Sequence, residues 1–143
     1  MLGRTYDGQD CSVARTLEVV GERWTLLIVR DALLGETRFD GFLGRLPIAR
    51  NVLSDRLSGL VEHGVLRREQ YQARPPRHEY VLTEKGRELT PVVLALMQWG
   101  DRHLAPDGPP RTALHEGCGG RVRVGVSCPD CALPVTSVSF VDR

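Results

Sequence analysis

Apolar residues recur at helical spacing through most of the chain. Val13, Leu17 and Val20 stand four and three apart, the period of an amphipathic helix, and Gly21 supplies a stop. Trp24, Leu27, Ile28 and Leu34 continue the pattern after the break at Gly21-Glu22-Arg23, predicting a second, largely buried helix that ends near Gly35. A short third helix places Phe39, Phe42 and Leu46 on one face and stops before Pro47, whose ring disfavours helical geometry in the residue ahead of it. From Ala49 to His63 the spacing predicts a fourth helix. Leu53, Leu57, Leu60 and Val61 line its inner side, Asn51, Asp55, Ser58 and Glu62 line the other, and Gly64 stands at the C-terminal stop.

The period then changes. Val65 to Tyr71 and His78 to Leu82 read as two extended runs, and Gln72 to Arg77 between them is expected to be an irregular loop, because two adjacent prolines lack amide donors. The product is a β-hairpin with a basic tip. Thr83 is expected to cap a long helix that carries Leu89, Val92, Val93, Leu96, Met97 and Trp99 and ends near Leu104. Ala105 to Pro110 is too rich in proline and glycine for any helix and reads as a linker. Beyond it, Arg121 to Val126 alternates polar and apolar residues as a half-buried strand does. The organisation so read is one unit over 1–105, a linker over 106–113 and a small tail over 114–143.

Three helices, a fourth with a free polar side, a basic hairpin and a closing helix make a mainly α fold with a small β-wing: a winged helix-turn-helix. The physical consequence is contact with double-stranded DNA. The major groove is about 12 Å wide and admits one α-helix, whose first turns reach base edges while the preceding helix braces phosphates. Arg50 and Asn51 lie in the first turn of the fourth helix, and their side chains suit guanine and adenine edges respectively; Ser54, Asp55 and Arg56 follow one turn on. At the hairpin tip Arg74 and Arg77 flank Pro75-Pro76, where a cation can enter the minor groove or bind phosphate, and the prolines restrict the tip before binding.

Composition changes this picture little. The net charge of +1 argues neither for nor against nucleic acid, but seven arginines (Arg45, Arg50, Arg56, Arg67, Arg68, Arg74 and Arg77) fall in the middle of the chain, whereas lysine occurs once, at Lys85. Arg67 and Arg68 sit in a strand, and at least one is expected to be structural. No apolar run approaches the roughly 20 residues that cross a bilayer, and Met1 to Asp10 has no signal-like stretch, so a cytoplasmic protein is expected.

Cysteine usage adds a second theme. His115-x2-Cys118 and Cys128-x2-Cys131 are separated by nine residues, and two-residue gaps let one turn present both ligands to one ion. Four such donors satisfy tetrahedral zinc, and with the Arg121 to Val126 strand between them the tail reads as a miniature zinc ribbon, a structural site without catalytic water. Free thiols in a partly ordered tail, or a Cys128–Cys131 disulfide, are the competing readings.

The ordered motifs Cys11-Ser12-Val13, Gly21-Glu22-Arg23-Trp24-Thr25-Leu26-Leu27-Ile28, Leu53-Ser54-Asp55-Arg56-Leu57, Gly64-Val65-Leu66, Pro76-Arg77-His78-Glu79-Tyr80-Val81-Leu82-Thr83 and Gly86-Arg87-Glu88-Leu89 resemble the HxlR-type regulators of the wider MarR-like group, over about residues 10 to 105. The resemblance implies a bacterial homodimeric regulator whose N-terminal and long C-terminal helices form the dimer contact, so that two recognition helices meet successive major grooves of a palindromic operator. It also implies a candidate redox sensor at Cys11, since some members sense oxidants or electrophiles through a cysteine here. A thiolate ahead of a helix is favoured by the helix N-terminus, although a cysteine there also packs as a small apolar group. Typical members end soon after the long helix, so the tail is a departure.

Two other function classes remain in view. A protein-interaction or metal/redox-sensing module could use the winged fold as scaffold, although such a module has no need of a basic hairpin tip. An enzyme is not expected: no nucleophile has a base beside it in the sequence, His63, His78, His103 and His115 each sit in a structural context, and there is no glycine-rich phosphate loop. A small-molecule effector between dimer helices would have Trp24, Met97 and Trp99 as lining candidates.

Overall fold

The structure is a computed structural model that describes residues 5–141. It divides into two units, Met1–Val93 and Leu94–Arg143, with the boundary inside the last helix and ahead of the proline-rich segment. In the first unit α1 spans Ser12–Val20, α2 Thr25–Leu33, α3 Phe39–Arg45 and α4 Arg50–Glu62; β1 (Leu66–Ala73) and β2 (Pro76–Leu82) form an antiparallel pair, and α5 is Glu84–Arg87. The helix α6, Thr90–His103, runs across the boundary.

Ile28 and Val29 from α2, Phe42 from α3, Leu53, Leu57 and Leu60 from α4, and Val65, Leu66 and Leu82 around the hairpin share one buried core. Each contributes about 1.5–3 kcal/mol by leaving water. The turn between α3 and α4 is fixed by its own residues. Leu46 and Ile48 are buried on either side of the exposed Pro47, so the corner is pinned at two points. Gly64 follows α4 with φ +73, the left-handed geometry that releases the chain into β1. Thr37 O accepts a 2.6 Å bond from Tyr80 N, which ties the α2–α3 connection to β2.

Three expectations are corrected. The ladder reaches Ala73↔Pro76, with an irregularity between Gln70 and Gln72, so the hairpin connection is much shorter than the predicted loop. Proline is tolerated there because Pro76 opens its strand, where a missing amide costs little. The long helix is two helices. Thr83 Oγ1 accepts from Gly86 N at 3.0 Å and caps only α5, and α6 restarts at Thr90 with Pro91 in its first turn, where no helical amide partner is lost. The close approach of α5 to the hairpin requires glycine: a Cβ on Gly86 would lie 2.1 Å from Val65 O. In α1, Val13 and Leu17 point outward and Ala14 and Val20 are the buried residues. Finally, Arg121 to Val126 forms no strand; the second unit has two isolated bridges, Leu114↔Arg121 and Ser127↔Pro134.

Candidate nucleic-acid interface

α4 buries one side and exposes the other. Leu53, Leu57 and Leu60 are buried, while Arg50, Asn51, Ser54, Asp55 and Ser58 are exposed. The spacing of three and four between the leucines rotates every polar residue of the first two turns away from the core. Arg50 lies 3.6 Å from Asp40 through Nη2, and its guanidinium sits 5.2 Å from the centre of the Phe39 ring. Both partners of that pair are well exposed, so it is weak and leaves the side chain able to turn outward.

Arg56 is engaged by its own chain. Its Nη2 is 2.6 Å from Glu22, its Nη1 2.8 Å from Asp55, and its Nε donates to Arg23 O at 3.3 Å. The side chain is only 21% exposed. It is therefore a clamp between α4 and the α1–α2 connection, and it occupies Asp55 as well. What it clamps is a strained corner: Trp24 takes φ +82, a left-handed conformation unusual for a bulky residue, with the Arg23 guanidinium 5.1 Å from its ring centre. Glu22 and Arg23 carry no mark of this role in the sequence, because the partner lies in a distant helix.

The hairpin presents Arg74 and Arg77 at its tip, both exposed, and neither enters an ion pair among the described residues. The expectation for the strand arginines is met: Arg67 pairs with Glu69 and donates to Leu82 O at 3.4 Å, and Arg68 lies 3.3 Å from His78 Nδ1. Arg38, a residue sequence reasoning passed over, stacks 4.4 Å from the Tyr71 ring centre on the wing. Asp31 was also missed. It is 1% exposed in the core and is paired with Arg30 at 2.9 Å, with its second oxygen, Oδ2, lacking a hydrogen-bond partner.

Cys11 is the N-cap of α1, and its Sγ accepts from Ala14 N at 3.3 Å. It is exposed in the single chain. In the second unit His115 Nδ1 is 3.3 Å from Cys118 Sγ, and backbone amides of Cys131 and Asp130 at the Cys128 sulfur lower that thiol below its ordinary pKa. The two pairs are not joined: among the described residues no three His, Cys, Asp or Glu side chains gather where they could hold one ion. A cavity of about 630 Å³ in this unit is lined by Met97, Gln98, Arg102, Arg111, Arg121 and Arg123 among others. Of the three effector-lining candidates only Met97 borders it.

An outward helix braced by the helix and turn before it, beside a hairpin carrying free cations, defines the winged helix-turn-helix class of DNA-binding proteins. The family of HxlR-like helix-turn-helix proteins matches residues 19–108. A transcriptional regulator of the HTH type from Mycobacterium tuberculosis, itself uncharacterized, is 45% identical over 137 residues, 95% of this chain and 85% of its own. YdeP of Bacillus subtilis, another HTH-type regulator, is 37% identical over 71% of this chain and 83% of its own. Among solved structures the transcription factor candidate PA1607 superposes with TM-score 0.84 at 39% identity, covering 95% of this chain and 96% of that one. The redox regulator HypR, in its reduced form, gives 0.61 at 36% identity over 64% of this chain and 92% of its own. The chain belongs to the HxlR-like helix-turn-helix family and is a transcriptional regulator. Its tail is not peculiar to it, since the matches to the mycobacterial relative and to PA1607 leave only about one residue in twenty uncovered. No helix among the described residues is long and apolar enough to cross a membrane.

Proposed function

We propose that the chain acts as a homodimer on a two-fold symmetric operator, with α4 of each protomer in a major groove and each β1–β2 wing at the neighbouring minor groove. One observation carries the reading. The polar side of α4 is exposed and unpacked at its N-terminal end, where Arg50, Asn51 and Ser54 can reach base edges. Arg74 and Arg77 on the wing supply phosphate or minor-groove contacts, while Arg56 ties the helix to the turn before it and holds Asp55. A second copy is the fitting occupant for the apolar residues left in water on two helices: Val13 and Leu17 on α1, and Val92, Leu96 and Trp99 on one stripe of α6. A duplex selected from random sequences should be palindromic. Arg50→Ala should relax base preference at one position per half-site, and Arg77→Ala should weaken all duplexes alike. Unchanged binding by both variants, in a folded dimer, overturns the reading.

A second reading adds redox control of the same protein. It is supported by the exposed Cys11 thiol on a helix N-cap and by the likeness to HypR. A thiol-specific oxidant should release wild-type protein from its selected duplex and leave Cys11→Ser bound. Equal release of both excludes Cys11 as the sensor.

A further inference from the structure

The tail makes one turn twice. Leu114↔Arg121 closes the first around His115 and Cys118, and Ser127↔Pro134 closes the second around Cys128 and Cys131. The backbone bonds match position for position. His115 N donates to Gly120 O at 2.8 Å and Cys128 N to Leu133 O at 3.0 Å; Gly119 N donates to His115 O and Ala132 N to Cys128 O, both at 2.7 Å; Val122 N donates to Ala113 O and Val135 N to Val126 O, both at 2.9 Å. The second donor residue is itself left-handed in each, Gly119 at φ +72 and Ala132 at φ +60. In the second turn an alanine accepts a backbone that glycine normally takes.

The first turn also aims an amide at sulfur. Gly120 N lies 3.4 Å from Cys118 Sγ. That contact suits a thiolate held in place, and the His115 ring nitrogen is already beside the same sulfur.

Apart from the paired hydrogen bonds between the Gln98 side chain and the Val124 backbone, the segment has little else to order it. Leu114, Val126, Leu133, Val138 and Phe140 are all more than half exposed, so no apolar core stabilises two such specific turns. Three thiols and one imidazole are the soft and borderline donors of zinc, not the oxygen set of calcium or magnesium. We propose that His115, Cys118, Cys128 and Cys131 form one structural zinc site, each preformed turn supplying two ligands and the ion drawing the two turns together. In this structure the turns stand apart. Between them lies Gly125, whose backbone freedom allows the turns to close about Val124, which the Gln98 side chain holds through both its backbone groups. Closure displaces the thiol protons to solvent and leaves no open coordination position. The proposal is independent of how the first unit reads DNA.

The test uses full-length protein, purified under reducing conditions. Elemental analysis should give about one zinc per chain, and cobalt exchanged into the site should show the absorption of a tetrahedral thiolate complex. Cys118→Ser and Cys131→Ser should each lower retention against a competing chelator by tenfold or more. Cys131→His should retain the metal, because it keeps four donors, and an unchanged melting transition of the winged unit will show that each variant is folded. Absence of zinc from the wild type after reconstitution, with all tail thiols open to a thiol reagent, overturns the proposal. So does metal retention by Cys118→Ser and Cys131→Ser equal to that of the wild type.

Discussion

Replacing Arg56 with alanine separates two roles that the same residue could have. As a base reader it would matter only with DNA present, and its loss would cost about 1–3 kcal/mol of discrimination with stability untouched. As the clamp seen here it matters to the free protein. Its pair with Glu22 is partly exposed, at 21% and 50%, so screening limits it to the surface range of about 0.2–1 kcal/mol. The bond to Arg23 O adds about 1 kcal/mol, and it secures the corner where left-handed Trp24 stores strain. A loss of about 1–2 kcal/mol follows, which for a chain of this size lowers the melting temperature by roughly 3–7 °C. The measurement is thermal unfolding at one fixed protein concentration, since a dimer's transition moves with concentration. A cycle with Glu22→Gln should return a coupling of about 0.5 kcal/mol. Should Arg56→Ala melt with the wild type and instead lose a tenfold preference among duplexes, the clamp is wrong and the residue reads DNA.

Two further outcomes test the fold and the assembly. Gly86→Ala pushes a methyl against Val65 O, a backbone atom with little room to retreat, and should destabilise the first unit by about 1–3 kcal/mol in denaturant titration; a neutral result would mean that α5 does not approach the hairpin so closely. Leu96→Glu places a charge in the exposed α6 stripe and should convert a dimer to monomer by light scattering, with melting of the monomer unit little changed; a dimer of undiminished affinity would assign the contact elsewhere.

The helices and the inward side of α4 were legible because periodicity records burial directly: Leu53, Leu57 and Leu60 could face only one way. The outer face of α1 was not, because Val13 and Leu17 make an amphipathic pattern whether the apolar side meets its own chain or another. Pro91 held the signal for the break between α5 and α6, outweighed by the continuous apolar spacing around it. The fate of Arg56 depended on which loop falls beside α4, a tertiary fact with no local trace. The spacing of the four tail donors was plain, yet the repeat of the turn lies in hydrogen bonds and a left-handed residue at each second corner, and the sequences of the two turns share little beyond a cysteine at the same place.

The near-neutral charge of the chain is compatible with strong dependence on salt, because the fold sorts its arginines. Arg45 is paired with Glu36 at 3.3 Å, Arg56 with Glu22 and Asp55, and Arg67 with Glu69, so acids neutralise the cations that hold structure. Arg74 and Arg77 carry no such partner among the described residues, and Arg50 has only a weak one. In the proposed dimer, two wing cations per protomer make four, which would release counterions with a slope of about −3.6 in log affinity against log salt, steepening to about −5 if both Arg50 residues also meet phosphate. Binding to the selected duplex over a salt series measures this slope. The double variant Arg74→Ala with Arg77→Ala should flatten it by about 3–4. A slope unchanged by that variant would show that the wing cations do not meet DNA, and the assignment of Arg74 and Arg77 as the contacting arginines would fall with it.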